Sequence, residues 1–308
     1  MAKEIQAASA GNGLAAFSED LVKAVAAAAA SVVRVDDGSR LTATGTIWSA
    51  DGVIVATSHG VEADEEIGIV LPDGTRHTAT VAGRDPDTDI AVLKIDGVSD
   101  LPAIPRAAPE SVQVGQFAIA LGQPGDSGLV ATFGIVSARR ETQTEGADEY
   151  ILSTDADLYP GVSGGPLINA RGEFVGLLDR LYGRGLGVAL GTPLVARVVE
   201  TLLTHGRMPR GYLGIRTQLV AIPETLKAPL GIDQESGLLV VNVATGSPAE
   251  QGGLFLGDTL LTVGGEAVSD VDTLRRHLRG GQPVAIEALR GGQRVSLTPT
   301  VGIADAVP

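Results

Sequence analysis

A mainly β protein of two domains is what this sequence predicts. Three observations carry that reading. Short apolar stretches recur between Gly, Asp and Pro turns over much of the chain. Glycine supplies 41 of 308 residues without any repeating period, nearly twice the usual ~7%, which suits many tight turns. The length exceeds the roughly 100–200 residues of one domain, and each part is long enough to bury its own core. Aromatic residues are only 3%, so those cores must be built from Val, Leu, Ile and Ala.

Residues 1–16 are small and polar and read as a flexible arm. Ser18-Glu19-Asp20 then precede Leu21, Val22 and Val25. Ser18 is placed to cap a helix running to about Ala30, with acids at the end that its dipole favours. From Val32 to about Thr192 the pattern is that of many short strands, as in a barrel or sandwich. Examples are Gly52-Val53-Ile54-Val55, Ile67 to Leu71 before Asp73-Gly74, Ile90 to Leu93, Phe117 to Leu121, Gly134-Ile135-Val136, and Phe174 to Leu178. Pro193 to His205 reads as a helix with Leu194, Val198 and Leu202 on one face. Gly206 to Gly211, containing Pro209, reads as a linker. A second strand-rich segment follows, with helical stretches at Pro248 to Gly253 and Asp270 to Arg279 and a tail at 303–308.

Composition excludes several function classes. The net charge is −14, which disfavours nucleic acid and anionic lipid as partners. The chain has no cysteine, so disulfides, thiolate catalysis and Cys-ligated zinc are ruled out. His59, His77, His205 and His277 are too far apart in sequence to make a local metal motif. Asp85, Asp87 and Asp89 open like a calcium loop, but Ile90 stands where that loop needs Gly. No metal or cofactor is expected. The apolar run Ala24 to Val33 is half the about 20 residues a membrane span requires. No secretory leader is evident, so the chain as given reads as cytoplasmic. A chain whose leader had been removed would read the same and belong to the cell envelope.

Gly161-Val162-Ser163-Gly164-Gly165-Pro166 is the segment richest in chemistry. A nucleophilic Ser needs an exposed turn and backbone N–H groups aimed at a developing oxyanion, which flanking glycines permit. An ordinary Gly-rich turn is the alternative. Such a Ser needs a base, and His59 at the end of the strand Val53 to Ala56 is the candidate. His77 reads as a solvated strand residue. Asp89 abuts the strand Ile90 to Leu93, where a carboxylate can orient a His ring, while Asp85 and Asp87 read as solvated turn residues. The order His59, Asp89, Ser163 is that of chymotrypsin-type enzymes, not subtilisins or α/β-hydrolases. Gly122 to Gly128 lacks the Lys of a phosphate loop and reads as a plain loop.

Together these residues resemble the HtrA (DegP-like) family of trypsin-fold serine proteases. The matching segments are Thr57-Ser58-His59, Asp85 to Leu93, Ala120 to Pro124, Gly134 to Ala138, Thr154-Asp155-Ala156, and Gly161 to Asn169. The resemblance implies a chymotrypsin-like pair of six-stranded β-barrels with the active site between them. It further implies Ser163 as nucleophile, His59 as general base and acid, Asp89 as its orienter, and the amides of Gly161 and Ser163 as oxyanion hole. Residues 211–302 are similar to a bacterial PDZ domain of five or six strands and two helices. Tyr212-Leu213-Gly214-Ile215 would be its carboxylate-binding loop and groove strand, or else a plain linker junction. Leu274 and Leu278 would lie on its groove helix. The expected domains are therefore a protease domain at 17–205, a linker at 206–210 and a PDZ domain at 211–302.

Departures from the family pattern matter too. Asn is usual where Ser58 and Val162 stand, and the Val162 side chain is expected to point outward. The surface loops look short, which argues against cage-like assembly and leaves a homotrimer built with Phe17 as the expectation. Asp157 takes the position of a specificity-pocket floor, where an acid would favour Arg or Lys at P1. Pairing with Arg180, or facing solvent, are its alternatives. The function implied is ATP-independent serine endopeptidase action on unfolded or misfolded proteins, with C-terminal peptides at the PDZ groove. A signalling protease of narrow range, gated by such a peptide, would share this chemistry. The competing class is a peptide-binding chaperone or scaffold with a latent protease domain. Presence of all three triad residues favours the enzyme.

Overall fold

The computed structural model describes residues 13–36, 38, 42–125, 128–142, 148–180, 187–208, 210–278 and 280–304. The chain divides into two compact units, residues 1–208 and 209–308. The first opens with α1 (Gly13–Ala29) and holds two closed antiparallel barrels. The first barrel comprises β1 (Val32–Asp36), β2 (Ala43–Ser49), β3 (Val53–Thr57), β4 (Ile67–Val70), β5 (Arg76–Asp85) and β6 (Ile90–Lys94), in the order β1-β2-β3-β6-β5-β4. The second comprises β7 (Phe117–Gly122), β8 (Val130–Glu141), β9 (Tyr150–Thr154), β10 (Pro166–Ile168), β11 (Phe174–Asp179) and β12 (Gly187–Gly191), ordered β10-β11-β12-β9-β8-β7. α2 (Thr192–His205) closes the unit.

Burial explains why several of these strands read as continuous apolar runs and not as alternation. Every residue of β3 and β11 is buried. One face of β3 points into its barrel, where Ile54 and Ala56 join Val33, Ile47 and Leu93. The other face, with Val53 and Val55, packs in a separate core that joins the two barrels and takes in Trp48, Ile119, Phe174, Leu177, Ala24 and Ala28 of α1, and Leu194, Val198 and Leu202 of α2. Trp48 stands edge-on to Phe174 with ring centroids 5.6 Å apart, and the Arg106 guanidinium lies 4.2 Å from its ring centroid.

Two details of the first unit differ from the sequence reading. α1 begins at Gly13, so Ser18 is an interior helix residue and not a cap. Leu14 to Phe17 carry no helix breaker, and the Phe17 ring lies 5.2 Å from Phe117 and 6.0 Å from Phe133. That contact extends the helix ahead of the cap-like Ser18. Asp85 is buried and not solvated. Its carboxylate accepts from the Thr88 hydroxyl at 2.6 Å and the Asp87 amide at 3.2 Å, closing the turn that leads to Asp89.

The second unit contains β13 (Arg210–Tyr212), β14 (Ile215–Ala221), α3 (Glu224–Leu230), β15 (Ser236–Val243), α4 (Pro248–Gln251), β16 (Thr259–Val263), β17 (Glu266–Ala267), α5 (Val271–Arg276), β18 (Ile286–Arg290), β19 (Gln293–Leu297) and β20 (Gly302–Ala304). Its main sheet runs β14-β15-β16-β18-β19 with β17 on β16, and β13 pairs with β20. Residues 303 and 304, read as tail, thus belong to a strand. α3 is a third helix where two were expected. It is only seven residues long and includes Pro229, too short for a period to show in the sequence. Side-chain caps start the other two: Ser247 accepts from the Glu250 amide at 3.2 Å, and Asp270 from the Thr273 amide at 2.6 Å. The buried Asp258 takes a two-pronged contact from Arg290 at 2.8 and 2.7 Å. No helix among the described residues is long and apolar enough to cross a membrane.

Candidate active site

Pairing of β3 with β6, with Thr57 opposite Ile90, sets the two strand ends that carry His59 and Asp89 side by side. His59 sits in the single 3-10 turn Ser58–Gly60 that follows β3. Its amide donates to Asp89 Oδ1 at 2.9 Å, and its ring Nδ1 pairs with Asp89 Oδ2. The Ser58 amide donates to the Asp89 carbonyl at 2.8 Å. Asp89 adopts φ = +57°, a conformation uncommon outside glycine, which the turn closed by Asp85 and this double clamp hold in place. Arg84 steadies the same segment by donating to the carbonyls of Ser58 (3.3 Å), Val61 and Ala63.

The electrostatics follow from this geometry. The Asp89 carboxylate beside Nδ1 raises the His59 pKa above its ordinary value, against a smaller opposing effect of burial. Burial alone would push Asp89 upward, but the bonds from His59 and from Asp179 outweigh it and leave Asp89 below the usual carboxylate range. A carboxylate fixed on Nδ1–H leaves Nε2 as the basic nitrogen of the ring.

Ser163 lies in the turn between β9 and β10, tied to the opposite barrel by two threonines on one face of β2. The Thr44 hydroxyl donates to the Gly161 carbonyl at 2.6 Å, and the Thr44 amide to the Ser163 carbonyl at 3.3 Å. The Thr46 hydroxyl donates to the Gly164 carbonyl at 3.0 Å. Gly164 has φ = +87°, and a Cβ there would lie 2.1 Å from the Thr44 carbonyl oxygen and 3.1 Å from Ala56 Cα. The loop therefore presses against the strand that leads to His59. Ser163 is 6% exposed, and its Oγ accepts from the Arg180 amide at 3.1 Å. Gly161, at φ = +86°, completes the turn whose amides are the oxyanion candidates. Val162 does not point outward as expected. It is buried against Gly122, an apolar side chain for which the loop offers a dry contact.

Thr44, Arg84 and Asp179 are among the residues at the site that escape the sequence reading. The first two carry no local signal, since their partners are distant in sequence. Asp179 does carry one, as an acid ending the apolar stretch Phe174 to Leu178. It is fully buried, and ligand-type atoms of His59, Asp89 and Asp179 all lie within 4.8 Å of one another. Asp157 is exposed. Its carbonyl accepts from the Thr132 hydroxyl at 2.7 Å, and among the described residues its carboxylate makes no ion pair with Arg180. His77 is half-buried on β5. Gly122 ends β7, and the residues after it are pinned by Thr42 and Thr44 hydroxyls accepting from the amides of Gly125 (2.7 Å) and Gln123 (2.9 Å). Residues 126 and 127 lie outside the described residues.

In the second unit, Leu213, Ile215, Leu274 and Leu278 belong to one apolar cluster. Tyr212 is partly exposed on β13, and Gly214 has φ = +78° where a Cβ would lie 2.3 Å from Ser247 Cβ. β14 ends the sheet order, with β15 as its neighbour and α5 packed over the same cluster.

Comparison with known proteins supports the same division. Residues 43–177 match the family model of a trypsin-like peptidase domain, and residues 239–290 that of a PDZ domain. A solved structure described as "HtrA-type protease AlgW with decapeptide" superposes with a TM-score of 0.67 at 31% identity, covering 93% of this chain and 99% of that one. The chain belongs to the HtrA-type serine proteases. The serine endoprotease of Yersinia pestis gives a TM-score of 0.67 at 32% identity, covering 92% of this chain and 98% of its own. A "Probable periplasmic serine endoprotease DegP-like" of Pseudomonas putida is 34% identical over 266 residues, 84% of this chain and 55% of that relative. A protein of the same description from Chlamydia trachomatis is 34% identical over 267 residues, with 53% of its length covered. The chain thus spans about half the length of these curated HtrA-type relatives.

Proposed function

We propose that this chain is an ATP-independent serine endopeptidase that cleaves unfolded or misfolded proteins, its PDZ domain taking C-terminal peptides. One observation carries the reading: the His59–Asp89 pair of one barrel is clamped at both carboxylate oxygens, at the point where the other barrel presents Ser163. Ser163 Oγ attacks the scissile carbonyl, and His59 Nε2 takes its proton and later gives it to the leaving amine. Asp89 holds the ring and stabilises the imidazolium, and the amides of Gly161 and Ser163 receive the oxyanion. Peptide capture would add a strand to the edge of β14, with apolar side chains between β14 and α5 and the terminal carboxylate at Tyr212 to Ile215. Asp157 stands six residues before Ser163, where an acid at a specificity-pocket floor would favour Arg or Lys at P1, and its exposure matches the solvent-facing alternative. Cleavage of Val-P1 but not Arg-P1 peptides would refute that. The half-exposed Phe117 and Phe133 beside Phe17 support a homotrimer built on this aromatic patch, which sedimentation would test. The periplasmic description of the relatives supports action in the cell envelope.

Labelling with a fluorophosphonate probe tests the central reading. Wild type should label and Ser163→Ala should not, and an added C-terminal peptide should raise the rate if the PDZ domain gates the site. Absence of labelling in wild type under every condition would instead favour a peptide-binding scaffold with a latent protease domain.

A further inference from the structure

Arg84 lies on β5 just before Asp85, and its main chain is held from two directions. Ala91 of β6 pairs with it inside the barrel, and Arg207, beyond the end of α2, bridges to it as well. Gly83 lets the end of α2 come this close, since a Cβ there would lie 2.7 Å from the Gly206 carbonyl oxygen. From this fixed point the guanidinium reaches across to the turn that carries His59. Its Nη1 donates to the carbonyls of Ser58, at 3.3 Å, and of Val61, which flank His59 and Gly60. Its Nη2 donates to the Ala63 carbonyl and lies 3.1 Å from Asp64 Oδ1, to which Nε donates at 3.2 Å. All three guanidinium nitrogens thus serve residues 58–64.

That grip bears on the approach of base to nucleophile. Gly60, inside the gripped turn, sits against β2, where a Cβ on it would lie 2.9 Å from Ala43 Cβ. The next residue of β2, Thr44, bonds the carbonyls of Gly161 and Ser163. The turn with the base and the loop with the nucleophile are therefore seated on adjacent residues of one strand. How each is seated sets the approach of His59 Nε2 to Ser163 Oγ. Threonine bonds seat the Ser163 loop. On the histidine side, Asp89 orients the ring and the His59 amide, and the carbonyls on either side go to Arg84. The turn is a single 3-10 turn, and Thr57 before it makes no side-chain capping bond. A planar fork of charged donors spans several carbonyls at once, whereas the point charge of a lysine does not. We propose that Arg84 is a positioning residue: it seats the His59 turn on β2 so that Nε2 meets Ser163 Oγ. This inference deepens the catalytic reading above and rests on it.

The experiment pairs peptide-hydrolysis kinetics of the whole chain with proton NMR. Arg84→Met keeps the apolar stem and removes the fork. Its kcat should fall roughly 10- to 100-fold at constant KM, as for a misplaced catalytic group. Arg84→Lys restores the charge without the fork, and its kcat should still lie about fivefold or more below wild type. The proton between His59 Nδ1 and Asp89 should give a far-downfield resonance in Ser163→Ala. Adding Arg84→Met to that variant should broaden the resonance, because a loosened turn exchanges the proton with water faster. This readout needs no active nucleophile, so failure of the Ser163 assignment leaves it intact. A kcat of Arg84→Met within about twofold of wild type overturns the proposal. So does a loss confined to KM, or a resonance equally sharp with and without Arg84. Full activity in Arg84→Lys overturns it too, since a charge would then suffice. Should Arg84→Met fail to fold, Arg84→Lys decides by the same kcat criterion, and its resonance in the Ser163→Ala background by the same broadening.

Discussion

The Thr44 hydroxyl donates to the Gly161 carbonyl at 2.6 Å, so a strand of the first barrel holds the turn that carries the nucleophile of the second. The same oxygen accepts from the Gln123 amide at 2.9 Å. One buried hydroxyl thus fixes two loops at once. Thr44→Val keeps the shape and leaves both partners unsatisfied. It should cost about 1–3 kcal/mol in urea unfolding, the desolvation penalty of orphaned buried groups. If the turn sets the oxyanion amides, kcat on a peptide substrate should also fall about tenfold or more.

The acid limb of kcat/KM should lie above the ordinary histidine value of about 6.5, because Asp89 stabilises protonated His59. The base works only when neutral, so activity appears as pH rises through this raised pKa. Asp89→Asn should return the limb toward the ordinary value or below and cut kcat roughly 10⁴-fold. Linkage runs the other way for folding. A raised histidine pKa adds stability that is fully present below the unfolded value and is lost as pH rises through the folded one. A rate profile of wild type and variant, with denaturant midpoints at the same pH values, checks both signs.

Gly164→Ala should be among the most damaging single substitutions in the chain. Its Cβ would lie 2.1 Å from the Thr44 carbonyl oxygen on a backbone with φ = +87°. Strain plus the displaced loop should cost about 2–4 kcal/mol, and fluorophosphonate labelling should vanish with it. Thermal melts and labelling of the purified variant would read the two effects separately.

Much of the fold was legible because several strands, β3 and β11 among them, are buried on both faces. Phe174 to Leu178 and Val53 to Val55 read as unbroken apolar runs, and such runs between turns are hard to mistake. Local signals misled where tertiary packing overrode them. Ser18 looks like a helix cap, yet Phe17 packing on Phe117 and Phe133 carries α1 past it. Asp85, Asp87 and Asp89 are alike in sequence, and only the closed turn shows that Asp85 is buried while Asp87 is not. At the site, His59, Asp89 and Ser163 draw notice because each abuts a strand or a glycine turn. Thr44 and Arg84 act through partners far along the chain or on loop carbonyls, which no local pattern marks.

One buried pair of the second unit should lose its contribution to stability in acid. Burial pushes the Asp258 carboxyl upward, but the Arg290 guanidinium more than offsets this and holds it below the usual range. A depressed carboxylate contributes stability above its unfolded value of about 4 and loses it as pH falls through the folded one. Arg290→Met would strand the buried charge and should cost roughly 3–5 kcal/mol at pH 7. The deficit should shrink as pH falls, first as Asp258 of the variant, held up by burial without its guanidinium, takes up a proton, and further as the wild-type Asp258 does so below the usual carboxylate range. Urea unfolding followed by circular dichroism at pH 7 and pH 3.5 would show it.

Trp48 is the chain's single tryptophan, and it lies in the core that joins the two barrels of the first unit. Excitation at the red edge of protein absorption therefore addresses one residue and one unit. Its emission should be blue-shifted while the barrels hold together and move to the red when they part, whatever the second unit is doing. The protein carries its own optical label, so unfolding of the first unit can be timed by itself with no added dye.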